Sequence, residues 1–101
     1  MLDLEVFDSS FRELERSMQV ATRRQEVIAH NIANAKTQGY EPMTFDEQLM
    51  KAVKRSDKKE VNLEEELSSL TENSIKYSAY VKMFTSKMGA LRTVVTQGKK
   101  W

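Results

Sequence analysis

Apolar or small residues recur at Phe11, Leu14, Met18, Ala21, Ile28, Ile32 and Ala35, with Gln25 as the single polar member of the series. The steps alternate between three and four residues, which is the spacing of a heptad seam on an α-helix. A second series reads Leu63, Leu67, Leu70, Ser74, Tyr77, Val81, Phe84, Met88, Leu91 and Val95, again without a break in the alternation. The boundaries carry helix punctuation. Ser10-Phe11-Arg12-Glu13 matches a capping box, and Gly39 followed by Pro42 is a stop signal. Asn62 followed by Glu64, Glu65 and Glu66 caps the second helix and suits its positive end; Gly98, Lys99 and Lys100 suit the negative one. The pattern predicts a helix over 10–37, a joint over 38–61 and a helix over 62–97. Thr44-Phe45-Asp46-Glu47 is read as the cap of a short helix over 45–54, and 54–60 as a solvated loop.

The expected fold class is all-α: two long heptad-patterned helices forming an antiparallel α-hairpin or coiled coil, with a short irregular or helical joint between them. At 101 residues the chain forms a single helical domain, 1–101. A pair of helices leaves much of its apolar surface wet. Val6, Val20, Val27, Ile75, Tyr80 and Val94 lie off both seams and offer a second stripe to other chains. Such a protein is expected to be completed by assembly; the alternative is a closed three- or four-helix dimer.

Composition narrows the chemistry. The chain has no cysteine, so it has no disulfide framework, zinc knuckle or thiol nucleophile. Its 16 basic and 15 acidic residues nearly cancel, which argues against a nucleic-acid binder. Three glycines, at 39, 89 and 98, cannot build a phosphate-cradling loop. The lone histidine, His30, stands without a nucleophile nearby, and the Glu64–Glu66 run is explained by the helix dipole. No catalytic site, metal, cofactor or small-molecule substrate is expected. No apolar run approaches the roughly 18 residues of a membrane span. The start, Met1-Leu2-Asp3-Leu4-Glu5, is acidic and unlike a secretory signal.

Asn31 and Asn34, poor helix formers on one face, close the first seam before Gly39 and Tyr40. Their amides have two candidate uses: bonding carbonyls at the helix end, or bonding polar groups of a neighbouring subunit. This segment, with Asn31, Ile32, Ala33, Asn34, Ala35, Thr37, Gly39 and Tyr40, resembles the N-terminal signature of the bacterial flagellar axial family, the rod, hook and hook-associated proteins. His30 and Gln38 replace the family's first Asn and its Pro. Glu72-Asn73-Ser74-Ile75-Lys76-Tyr77 and Leu91-Arg92-Thr93 are similar to the end of the proximal rod proteins, as is Phe45-Asp46-Glu47-Gln48-Leu49. The stretch between the arms is shorter than is usual there.

The resemblance implies a structural subunit of the flagellar basal-body rod, in the periplasm, exported by the flagellar type III apparatus without a cleaved signal. It implies partners: further copies, other rod proteins, the rod-base adaptor and the membrane ring protein. It also suggests an export element near the start, for which Phe7 and Phe11 have the spacing. The competing reading is a cytoplasmic coiled-coil adaptor or chaperone that holds a partner helix.

Overall fold

The computed structural model describes residues 4–98, with side chains from residue 8 onward. Two helices, α1 (Leu4–Ala33) and α2 (Leu63–Gly98), run antiparallel, and a two-stranded hairpin, β1 (Met43–Asp46) and β2 (Lys51–Lys54), joins them. Helix–helix contact extends from Phe11 against Phe84 at one end to Asn31 against Glu66 at the other. The molecule measures 67 × 23 × 15 Å. Its radius of gyration is 18.8 Å, against roughly 13 Å for a compact chain of this size. Among the described residues the buried apolar core is small: Leu14, Val20, Ala21 and Phe45, with Pro42 enclosed beside them.

α1 begins ahead of the capping box, at Leu4, and carries Ser9 and Ser10 inside it. A serine within a helix costs only a few tenths of a kcal/mol, so the capping-box sequence does not force the helix to begin there. The helix ends at Ala33. The Asn34 amide donates to the His30 carbonyl (2.9 Å), and its oxygen accepts from the Thr37 hydroxyl (3.2 Å). Beyond it the backbone tightens into i→i−3 turns, Thr37 N–H to Asn34 O (3.0 Å) and Tyr40 N–H to Thr37 O (3.2 Å). Gly39, at φ 80°, then reverses the chain, a conformation that only glycine adopts without steric cost.

The joint corrects the expected helix over 45–54, which is a β-hairpin. Met43 and Phe45 point inward and Thr44 outward, the period-two pattern of a strand. Phe45 pairs with Ala52 and Thr44 with Val53. Asp46 does cap a turn, but a hairpin turn: its carboxylate accepts the N–H groups of Gln48 (2.9 Å) and Leu49 (3.0 Å). Met50, at φ 52°, closes the loop in the left-handed region. Pro42 O accepts Arg55 N–H (3.0 Å), carrying the ladder one step further.

α2 starts where its cap predicts. Asn62 Oδ1 accepts Glu65 N–H (3.2 Å), and Asn62 O accepts Glu66 N–H (3.0 Å). Lys99, Lys100 and Trp101 lie outside the described residues, as does the side chain of Phe7, half of the suggested export element. None of the described helices is long and apolar enough to cross a membrane.

Candidate assembly surfaces

Two of the signature residues, Asn31 and Tyr40, meet in one hydrogen-bonded cluster. Asn31 is 1% exposed and uses its whole hydrogen-bonding capacity. Its Nδ2 donates to Met43 O (2.8 Å) and to Glu66 Oε2 (3.2 Å). Its Oδ1 accepts from Met43 N–H (2.9 Å) and from the Tyr40 hydroxyl (2.6 Å). By bonding both N–H and C=O of Met43, the amide stands in for a neighbouring strand at the open edge of β1. Tyr40, returned by the Gly39 turn, also meets His30 Nδ1 at 3.0 Å. Because the phenol gives its proton to Asn31, Nδ1 of His30 is the donor in that pair. Burial, with the Glu66 charge as the lesser cause, raises the Tyr40 pKa above its ordinary value.

Glu66 anchors this clasp to α2. It is 5% exposed, and its second oxygen faces Arg55 Nη1 at 3.5 Å. Arg55 also holds Asp57 (2.8 Å) and approaches Glu65 (3.7 Å). The Asp57 hydrogen bond is the main reason the Arg55 pKa rises, and the same bond lowers that of Asp57. A buried carboxylate is tolerated only when paired and hydrogen-bonded, and Glu66 is both. Every buried side-chain nitrogen and oxygen among the described residues has a partner.

A second buried amide sets the helix register. Asn73 donates to the Ala21 carbonyl (2.8 Å) and to Gln25 Oε1 (2.9 Å), while Gln25 Nε2 reaches Ser74 Oγ (3.4 Å). The polar breaks in the two seams therefore meet. A buried polar contact of this kind specifies alignment at some cost in stability.

The two amides also fix the rotation of α2. On α1 the expected seam faces α2 within the chain, with Leu14 and Ala21 buried and Phe11, Met18, Ile28, Ile32 and Ala35 half-buried. Phe11 meets Phe84 edge to face at 5.3 Å. The adjoining flank of α1, with Val20, Arg24 and Val27, is used as well. Val20 is buried, and Arg24 reaches Glu47 at 2.7 Å. The second stripe expected on α1 is thus partly spent inside the chain.

On α2 the inward positions are Glu66, Leu70, Asn73, Tyr80, Phe84 and Leu91. The expected seam is turned partly away from α1: Leu70, Phe84, Met88 and Leu91 are half-buried, whereas Leu63, Leu67, Tyr77 and Val81 are exposed. Ile75, Met83 and Val94 form a further exposed set on another face, with Ile75 66% exposed. Of the other signature residues, Ala33, Thr37 and Gly39 are exposed at the turn, and Ile32 and Ala35 are half-buried. Sequence reasoning found Asn31, Asn34 and Tyr40 but missed Glu66 and Arg55. Glu66 lay hidden in an acidic run that the helix dipole alone explains.

Between α1, the hairpin and α2 lies an open groove of about 710 Å³, walled by Val27, Phe45, Val53, Arg55 and Asn73. No group of acidic, His or Cys side chains among the described residues could hold a metal ion.

Two comparisons bear on identity. Residues 14–40, from Leu14 to Tyr40, match the family model described as flagella basal body rod protein. That match ends on the residue that closes the clasp. The flagellar basal body rod protein FlgB of Bacillus subtilis (strain 168) is 25% identical over a 129-residue alignment covering 95% of this chain and all of the relative. The alignment is longer than the 101-residue chain, so the relative carries segments absent here. The chain is thus similar to flagella basal body rod proteins over Leu14–Tyr40 and, at lower identity, to one such protein along most of its length.

Proposed function

Starting from that kinship, we propose that the chain is a structural subunit of the proximal rod, polymerising through its terminal helices to transmit torque and to line the export channel. The observation that carries this reading is α2. Its apolar residues lie on several faces, and the chain covers only one of them. Leu63, Leu67, Tyr77, Val81 and Val95 line one exposed apolar stripe along the helix, and a long exposed apolar stripe marks an interaction surface. The partners are further copies, other rod proteins, the rod-base adaptor and the membrane ring protein. The subunit reaches the periplasm through the type III export apparatus without a cleaved signal, and Phe7 and Phe11 serve as its export element. A Cys-free chain with a small core suits passage through a narrow channel in an unfolded state. Asn31, Asn34, Gly39 and Tyr40 hold the joint in the shape that assembly uses.

The test is deletion of the gene in its source bacterium, with electron microscopy of the cells. Loss of hooks and filaments, restored by the wild-type gene, is the expected result. Normal flagella in the deletion strain would favour the coiled-coil adaptor.

A further inference from the structure

The apolar stripe of α2 has a property that its use in a rod does not require: it is complementary to itself when reversed. Its core positions, Leu63, Leu67, Leu70, Ser74, Tyr77, Val81, Phe84, Met88, Leu91 and Val95, are spaced symmetrically about the middle of the helix. Leu63, Leu67, Tyr77, Val81 and Val95 are exposed, while Leu70, Phe84, Met88 and Leu91 are half-buried beside α1, so a second copy would pack next to α1 and complete their burial. Laid antiparallel on a second copy, Leu63 meets Val95, Leu67 meets Leu91 and Tyr77 meets Val81. The flank of the stripe turned away from α1 reads Glu64, Thr71, Ser78, Thr85 and Arg92. In an antiparallel helix pair, flanking positions of this type face their own kind. Glu64 then faces Arg92 of the second copy, Thr71 faces Thr85, and Ser78 faces Ser78 on the two-fold axis. Both Glu64 and Arg92 are exposed. Charge along α2 is segregated the same way: Glu64, Glu65, Glu66 and Glu72 occupy the first third, and Lys76, Lys82, Lys87 and Arg92 the remainder. A parallel pair in register stacks acid on acid and base on base, whereas the antiparallel pair opposes them.

We propose that the free protein pairs with a second copy of itself through the Leu63–Val95 stripe of α2, as a closed antiparallel two-fold dimer. A two-fold contact is isologous and closes on itself, so it occupies the stripe without seeding an open-ended polymer. The dimer is a holding state of the free subunit. It stands independently of what the chain later assembles into.

Sedimentation of the full chain tests the state, and disulfide trapping tests the geometry, since the chain has no cysteine of its own. The expected species is a dimer. Chains bearing Leu63→Cys, mixed with chains bearing Val95→Cys, should cross-link to each other. Chains bearing Leu63→Cys alone should not, because the two copies of residue 63 sit at opposite ends of the pair. Arg92→Glu should weaken the dimer roughly tenfold, since two ion pairs become repulsions, and Glu64→Arg with Arg92→Glu should restore it. Val81→Asp should give a monomer that keeps its helix content. A wild-type monomer at high concentration, an open-ended oligomer, or cross-linking of Leu63→Cys chains to themselves would each overturn the proposal.

Discussion

α1 and α2 are similar in length and were alike in pattern, yet they dispose of their apolar surface in opposite ways. α1 sets one stripe against α2 and turns its neighbouring flank to the β-hairpin side, so Leu14, Val20 and Ala21 are buried within a single chain. α2 buries a polar pair, Glu66 and Asn73, while Leu63, Leu67, Ile75, Val81 and Val95 stay exposed. The difference follows from rotation about the α2 axis, and buried hydrogen bonds hold that rotation. Turning α2 to bring its apolar seam fully onto α1 would take Glu66 from Asn31 and strip Asn73 of Ala21 and Gln25, at about 1–3 kcal/mol for each buried group left unsatisfied. The chain holds itself together with α1, the joint and the polar contacts of α2, and leaves much of the apolar surface of α2 exposed.

The largest way to break this arrangement is Asn31→Ala. It leaves Met43 N–H, Met43 C=O and one oxygen of Glu66 without a partner inside the clasp. A loss of about 3 kcal/mol or more is expected in urea unfolding, enough to release the joint. Next comes a matched pair of leucines. Leu14→Ala in α1 should cost about 2–3 kcal/mol. Leu67→Ala in α2, 47% exposed, should cost about 0.5 kcal/mol or less in the isolated chain. Similar losses at the two positions would erase the contrast between the helices.

A smaller change sharpens the account of the joint. Met50 holds φ 52° to close the hairpin, a conformation that costs an L-residue about 1–2 kcal/mol. Met50→Gly should therefore raise stability by about 1 kcal/mol or less, after the entropy that glycine adds to the unfolded chain.

The smallest effect is a dependence on pH. The Tyr40 pKa is raised in the folded state by burial and by Glu66. The clasp therefore favours the protonated phenol. That stabilisation is complete below the ordinary tyrosine value of about 10 and is lost as pH rises through the folded value. Thermal unfolding of the wild type should show this alkaline decline, and Tyr40→Phe should lack it. Asp57 acts in the opposite direction. Its pKa is lowered by the Arg55 hydrogen bond, so its contribution is present above the ordinary Asp range and lost in acid.

The long periodic segments were legible from residue spacing alone because each spans several heptads, and so was the cap at Asn62. The hairpin was not. Four residues of alternation in Met43–Asp46 cannot outweigh a plausible helix cap, and Asp46 serves either kind of turn equally well. The inward face of α2 was also hidden, for a physical reason: two heptad stripes share Leu70, Tyr77, Phe84 and Leu91 and differ by one residue elsewhere. Apolar content favours the stripe with Leu67 and Val81, yet the chain buries the one with Glu66 and Asn73. Only the partners supplied by Asn31, Arg55, Ala21 and Gln25 make that choice favourable, and those partners are distant in sequence. Asn31 was visible as an anomaly in a helix; its role as a surrogate strand required β1, which was not anticipated.

The central claim is that the uncovered faces of α2 are surfaces for neighbours in the rod. Ile75 and Met83 test it most directly, since both are exposed and lie away from the Leu63–Val95 stripe. Ile75→Cys and Met83→Cys variants would be treated with a maleimide, first as free protein and then in basal bodies purified from cells that carry them. Both cysteines should react fully in the free protein and be protected in the basal body. Equal reactivity in the two states would contradict the account.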